Sequence, residues 1–218
     1  MAPPARRTYG GKSAADRQAE RRARLLEAGL DAIGGEGWAA TTVRGVCERA
    51  RLTPRYFYEQ FADLDALAVA VFDEAFARTT ASVVAAIAAA PDAIESRVRA
   101  AIEAAFRDLT DDPRRARLLF AEAYATGPLA ARRIERLRDV IALIGSYGRE
   151  AFDVTAEAEP LLQVTATMLA GGLAETVGAW LRDDLPLERE ALIDDLVALF
   201  VAGGRSAEAI ARARAAGR

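Results

Sequence analysis

The chain has no histidine and a single cysteine, Cys47, among its 218 residues. Without imidazole there is no Ser-His-Asp or Cys-His catalysis and none of the usual zinc sites, so any catalysis would rest on carboxylates, arginine, tyrosine or the lone thiol. One cysteine excludes an internal disulfide and suits a reducing cytosol. It reads as a small buried apolar residue rather than a nucleophile. Long apolar runs are missing as well: Val83 to Pro91 and Leu196 to Gly204 are the longest, well short of the roughly 20 residues of a membrane span. The opening Met1-Ala2-Pro3-Pro4-Ala5-Arg6-Arg7 lacks the apolar stretch of a secretory signal. These absences lead to the expectation of a cytoplasmic chain with no membrane partner, no cofactor, no metal and no enzymatic role.

Apolar residues make up 52% of the chain, enough to bury a sizeable core. The net charge of -3 is unevenly spread. Through position 60 there are 11 basic and 7 acidic side chains, and the remaining residues hold 18 and 25. A basic first quarter on an acidic remainder is the pattern of a small nucleic-acid-binding head on a larger body, although a solvated Arg-rich helix face gives the same arithmetic.

Apolar spacing reads as helix almost throughout, and no segment keeps the alternation of a half-buried strand. An all-α fold of about nine helices follows. The first covers about Ala15 to Ile33 and is closed by Gly34-Gly35-Glu36-Gly37 as a C-cap cluster. Thr41 or Thr42 caps a short second helix, Val43 to Ala50, with Val46 and Cys47 inward and Arg44 and Glu48 outward. Thr53-Pro54 sets a cap and a first-turn proline for a third. Asp63 caps a fourth, whose Leu64, Leu67, Ala68, Val71, Phe72 and Ala75 form a core stripe. Ile94, Val98, Ala101, Ile102, Ala105, Phe106 and Leu109 make an equally regular fifth, and Asp112-Pro113 opens a sixth. Ile134 to Ile144 mark a seventh, Pro160 opens an eighth, and a ninth runs through Leu192, Leu196, Leu199 and Phe200.

The stretch Thr42 to Phe61 has the dimensions of a helix-turn-helix, whose second helix lies in the major groove. Thr53 and Pro54 stand at a helix start, where free N–H groups favour phosphate. Arg55 can fork onto guanine or phosphate, Tyr56 and Tyr58 offer a ring and a hydroxyl, and Gln60 can pair with adenine. Three consecutive aromatics, Tyr56-Phe57-Tyr58, cover about 200° of a helix and cannot share one buried face. At least one tyrosine must therefore be exposed, with Phe57 and Phe61 turned to the core.

From about Glu20 to Phe76 the sequence resembles the TetR family of bacterial transcriptional regulators. The resemblance is carried by Gly37-Trp38-Ala39-Ala40-Thr41-Thr42-Val43-Arg44-Gly45-Val46-Cys47, by Thr53-Pro54-Arg55-Tyr56-Phe57-Tyr58-Glu59-Gln60-Phe61 and by Asp63-Leu64-Asp65-Ala66-Leu67. It implies a homodimer that binds a palindromic double-stranded operator, usually as a repressor, and lets go when a small-molecule effector enters the C-terminal domain. It also implies a DNA-binding head over residues 1–65 and an effector-binding and dimerisation body over 66–218. Thr42 falls on the family's phosphate contact, and Arg44, Arg55, Tyr56, Tyr58 and Gln60 on its groove-facing positions. Three residues depart from the pattern: Arg51 stands where the bend often has glycine, Gln60 where histidine is frequent, and Leu64 where a lysine often meets phosphate. Arg6, Arg7, Arg17, Arg21, Arg22 and Arg24 offer compensating charge.

In the body, Leu118 to Tyr124 and Met168 to Thr176 mix apolar, small and sparse polar residues, the makeup of an apolar pocket with orienting contacts. Candidate effector contacts are Phe106, Leu119, Phe120, Glu122, Ala123, Tyr124, Tyr147, Met168, Gly172, Glu175 and Thr176. Plain bundle core is the competing reading for each. Gly171, Ala174 and Gly178 would allow close helix approach, and Leu192, Leu196, Leu199 and Phe200 would supply an apolar dimer stripe. The acidic pairs Asp111-Asp112, Asp183-Asp184 and Asp194-Asp195 suggest a Mg-dependent helical enzyme as an alternative, but the first two sit at helix boundaries where aspartate caps and turns. A helix-turn-helix protein turned to a scaffold role is a further alternative.

Overall fold

The computed structural model describes residues 13–123, 127–152, 154 and 158–217, and among these there are nine α-helices and no strand. Helix α1 spans Ala14–Leu30 and runs on through a π-helical turn, Asp31–Glu36; a 3-10 turn, Trp38–Ala40, follows. Next come α2 (Val43–Ala50), α3 (Pro54–Tyr58), α4 (Leu64–Ala89) and α5 (Ile94–Asp111). Helix α6 (Pro113–Arg117) is prolonged by a second π-helical turn, Leu118–Glu122. The bundle closes with α7 (Gly127–Phe152), α8 (Glu159–Leu181) and α9 (Arg189–Ala216).

Side chains start most of the early helices, because the first N–H groups of a helix have no partner within it. Ser13 and Asp16 form a reciprocal capping box on α1. The Thr42 hydroxyl accepts the Gly45 N–H at 3.1 Å and the Asp63 carboxylate accepts that of Ala66 at 2.8 Å. The end of α1 differs from the sequence expectation. Gly34 and Gly35 lie inside the π-helical turn, and Gly37 alone takes the left-handed backbone, with φ 95°. A Cβ on Gly34 would collide with the Arg114 carbonyl, so glycine here lets α6 lie directly on the end of α1.

One continuous core runs from Leu25 and Ile33 of α1 through Val46, Phe57, Leu67 and Phe72 to Phe106, Leu118 and Val201. Burying such a Leu or Phe is worth roughly 1.5–3 kcal/mol each, so this packing dominates cohesion. Helix α4 runs on from the helix-turn-helix into the bundle: Leu67, Ala68 and Val71 are buried at its start, and Ala75 and Ile87 further along. The second junction is the seam between α6 and the end of α1. There Arg114 contacts Glu27 at 2.9 Å, Asp112 at 2.8 Å and also Asp31, and Arg117 donates to the Gly35 carbonyl at 2.7 Å.

The seam makes a stability prediction. Gly34→Ala, which forces backbone apart, should lose about 1–3 kcal/mol in urea unfolding. Gly35→Ala points its methyl into open space and should be neutral or gain up to about 1 kcal/mol. Equal stabilities for the two would contradict the close packing.

Candidate nucleic-acid interface and body cavity

The bend between α2 and α3 is built on Arg51, which holds the left-handed conformation at φ 52° and ψ 46°. A non-glycine residue there costs roughly 1 kcal/mol. Two backbone bonds close the bend, Arg51 N–H to Glu48 at 3.1 Å and Leu52 N–H to Cys47 at 2.9 Å. Arg24 of α1 adds a fork, donating one nitrogen to the carbonyls of Ala50 and, at 3.1 Å, of Arg51. The last carbonyls of α2 are thereby satisfied from the neighbouring helix.

On α3, Phe57 is fully buried and Phe61 nearly so, with ring centroids 5.8 Å apart. These two anchors turn Tyr58 outward, where it is 60% exposed and stands edge-on to Phe57. Tyr56 is half-buried beneath the Arg21 guanidinium, 4.6 Å from its ring centre, and Arg22 lies 4.8 Å over Phe61. Thr42, Arg44, Thr53, Pro54 and Arg55 are exposed, and Gln60 is half-buried. Arg44 and Arg55 each rest on an acid one turn on, Glu48 at 2.9 Å and Glu59 at 3.1 Å. Exposed pairs of this kind are worth little, so a phosphate or base can take either arginine over. Leu64 is half-buried, and Arg6 and Arg7 lie outside the described residues.

The body encloses a cavity of about 1000 Å³ between α4, α5, α7, α8 and α9, with Leu119 and Phe120 of the second π-helical turn in its wall. The whole α5 stripe, Ile94, Val98, Ala101, Ile102, Ala105, Phe106 and Leu109, faces it. Its head-proximal end is apolar, with Phe72, Phe76, Phe120 and Val177; its far end carries Asp92, Arg97, Glu150, Glu208 and Arg212. At the upper end of the usual 300–1,000 Å³ for ligand pockets, the space suits a large apolar molecule.

Of the candidate effector contacts, Phe106, Leu119, Phe120 and Tyr147 line this cavity. The others do not meet there. Ala123 is buried in the core beside it and Thr176 is half-buried outside the lining. Met168 is 70% exposed, Gly172 is exposed, and Glu175 faces Arg133 at 4.0 Å on the outside. Tyr124 lies outside the described residues. Glu122 turns the opposite way, accepting the Trp38 N–H at 2.9 Å and pairing with Arg117 at 3.3 Å. A polar residue that interrupts an apolar run is the one that leaves the apolar wall, because its carboxylate needs donors. Sequence reasoning missed Arg97, Arg133, Arg136, Thr79 and Thr165 as lining residues.

The dimer candidates also divide. Leu192 and Leu196 are buried in the chain's own core, Ala174 and Phe200 line the cavity, and Gly178 packs near Phe120. Gly171, half-buried, has open space over its Cα, and Leu199 is 63% exposed. One acid of each acidic pair is engaged within the chain: Asp112 caps α6, Asp184 pairs with Arg182 at 3.0 Å and Asp194 with Arg99 at 2.7 Å. No helix among the described residues is long and apolar enough to cross a membrane.

Two predictions come from this geometry. Arg51→Gly should stabilise the chain by roughly 1 kcal/mol, while Arg24→Ala should destabilise it by about as much; the opposite order in thermal unfolding would refute the account of the bend. The second concerns acid. Arg114 hydrogen-bonds Asp112 and holds its carboxyl below the usual carboxylate range, about 3.9 when unfolded. Its contribution is therefore fully present above that value and is lost as pH falls through the folded one. Asp112→Asn should lower the melting temperature at pH 7 and converge on the parent protein in strong acid; a constant gap across pH would contradict this.

Comparison with known proteins agrees with these features. Residues 25–71 match the family model described as bacterial regulatory proteins, tetR family, a stretch that holds the helix-turn-helix and all eight groove candidates. The chain is 26% identical over 207 residues to the HTH-type transcriptional activator FasR of Mycolicibacterium smegmatis, covering 92% of this chain and 91% of that one. In fold it is similar to the fatty acid degradation regulator FadR from Bacillus halodurans, with a TM-score of 0.68, 19% identity and coverage of 83% and 94%. It is similar also to FadR from Bacillus subtilis, solved in complex with stearoyl-CoA, with a TM-score of 0.63, 17% identity and coverage of 83% and 98%. The chain thus carries the N-terminal domain of the tetR family of bacterial regulatory proteins over residues 25–71, on a helical body whose fold is similar to that of the FadR regulators.

Proposed function

We propose that the protein is a homodimeric regulator whose head, residues 1–65, binds a palindromic operator and whose body, residues 66–218, binds a long-chain acyl effector in its cavity. One observation carries the proposal: a single turn serves both sites. Leu119 and Phe120 line the cavity while Glu122, two residues on, holds the Trp38 amide just before the capped start of α2. A ligand that shifts the cavity wall therefore shifts the support of the helix-turn-helix. The apolar lining favours an apolar effector, and the relative solved with stearoyl-CoA supports an acyl chain in particular.

Thr42, Arg44, Thr53, Pro54, Arg55, Tyr58 and, more recessed, Tyr56 and Gln60 are the proposed DNA contacts. The family's usual mode is repression, whereas the FasR relative is named an activator; coupling of either sign is compatible with the shared turn. The family's N-terminal domain marks the chain as a regulator, and an absence of catalysis belongs to this same reading. For the dimer, Val164 and Met168 of α8 and Leu199 of α9 are exposed large apolar side chains, and both Gly171 and Gly172 have open space over their Cα atoms. This outer face, rather than the buried Leu192 and Leu196, is the proposed interface.

Arg55→Ala combined with Tyr58→Ala should weaken binding to the DNA upstream of the protein's own gene by at least about tenfold, given roughly 1–3 kcal/mol for each good base contact. Unchanged mobility shifts would refute the assignment of α3. Gly172→Arg should leave helicity intact yet convert the dimer to a monomer by light scattering; a dimer that persists would move the interface elsewhere.

A further inference from the structure

An arginine on the recognition helix can serve either a phosphate or a base, and we infer that Arg55 serves a base. Its two terminal nitrogens fork onto one guanine in each half-site, while Glu59 grips the guanidinium from behind and keeps it from phosphate. Glu59 is thereby a positioning residue for sequence readout. This deepens the DNA-binding reading and rests on it.

Arg55 lies in the first turn of α3, with its side chain 84% exposed. It donates through Nε to the Glu59 carboxylate, 3.1 Å away and one turn on. Neither terminal nitrogen has a hydrogen-bond partner among the described residues. A guanidinium gripped at Nε keeps its outer edge free, and that edge carries two parallel N–H groups that match guanine O6 and N7. The carboxylate also restricts the rotamers of Arg55 before DNA arrives, so less freedom is lost on docking.

Charge separates the two kinds of acceptor. Arg55 and Glu59 together are neutral. A phosphate gains from a protein cation chiefly through release of its counterions, and a pair without net charge releases few. The Glu59 carboxylate would also stand beside the incoming anion. A guanine edge carries no net charge and offers two acceptors, so the pair loses nothing by meeting it. Such a pair adds discrimination between sequences with little general affinity for DNA.

The cations beside α3 are placed differently. Arg21 lies over Tyr56 and Arg22 over Phe61, and neither has a carboxylate partner among the described residues. Helix α1 therefore brings unmatched positive charge to the edge of the recognition helix, and phosphate attraction there does not depend on Arg55. Arg44 is paired with Glu48 in the same manner, but it stands on α2, and the first helix of a helix-turn-helix crosses the DNA backbone while the second meets base edges. A held fork reaches a base only from Arg55.

Selection of bound duplexes from a random-sequence library by the full-length protein, followed by affinity titrations at several salt concentrations, tests the inference. Both side chains are exposed, and pairs of this kind add little to stability, so the variants keep the fold. Arg55→Lys, which keeps the charge but not the fork, should lose the guanine preference at one position per half-site and about tenfold or more in affinity for the best site, with the other positions unchanged. Glu59→Gln, which frees the cation, should relax the same position, bind a scrambled duplex more tightly and steepen its salt slope by about one per protomer. Replacing both residues with alanine removes the fork and no net charge: the guanine preference should vanish while the salt slope on the scrambled duplex stays that of the parent. An unchanged site preference in Arg55→Lys, a Glu59→Gln variant that matches the parent in both preference and slope, or a slope flattened by about one per protomer in the double variant would each overturn the inference and leave the DNA-binding reading standing. A parent protein that enriches no sequence at all would instead end the DNA-binding reading itself.

Discussion

The carboxylate of Glu122 accepts the Trp38 amide hydrogen at 2.9 Å, and two residues earlier in the same turn Phe120 closes the head end of the cavity. Helix α4 joins head and body by continuity of chain, which fixes their order but not what one senses of the other. The turn Leu118–Glu122 adds a specific contact between the cavity wall and the base of the helix-turn-helix. It exists because α6 can lie flat on the end of α1, and it can lie flat because Gly34 carries no side chain there.

The strength of this seam suits a switch. Arg114 gathers Glu27, Asp31 and Asp112, but the two α1 acids are well exposed, and pairs of that kind are worth about 0–1 kcal/mol each. The other bonds across it are few: Arg117 with the Gly35 carbonyl at 2.7 Å and Glu122 with the Trp38 amide. Losing one or two such bonds changes a free energy by an amount similar to the 1–3 kcal/mol of typical allosteric coupling. A head held by the continuous hydrophobic core and adjusted by a handful of polar bonds can move without unfolding.

Much of this was legible in the residues. The caps Thr42, Asp63 and Asp112, the proline starts of α3 and α6, and the period of α4 and α5 begin α2 through α6 where the structure has them. The aromatic run Tyr56-Phe57-Tyr58 required one exposed tyrosine, and Tyr58 is it. The cavity was harder to read because a pocket wall and a packed core share the same helical period: the α5 stripe is core by pattern and cavity lining in fact. Glu122 was expected to face a ligand, and its actual partner lies 84 residues earlier in the chain, a distance no local pattern spans. For α9 the apolar stripe is wide enough to serve two faces. Leu192 and Leu196 took the inner one and Leu199 the outer, and only the packing of the neighbouring helices decides which.

The most direct test of the coupling is to measure operator affinity with and without saturating acyl ligand, and ligand affinity with and without operator, in the parent protein and in Glu122→Ala. In the parent the two ratios should be equal, as linkage requires, and distinct from one. In Glu122→Ala, DNA and ligand should still bind singly while both ratios collapse toward one. A variant that keeps the full coupling would contradict the claim that this turn connects the cavity to the head.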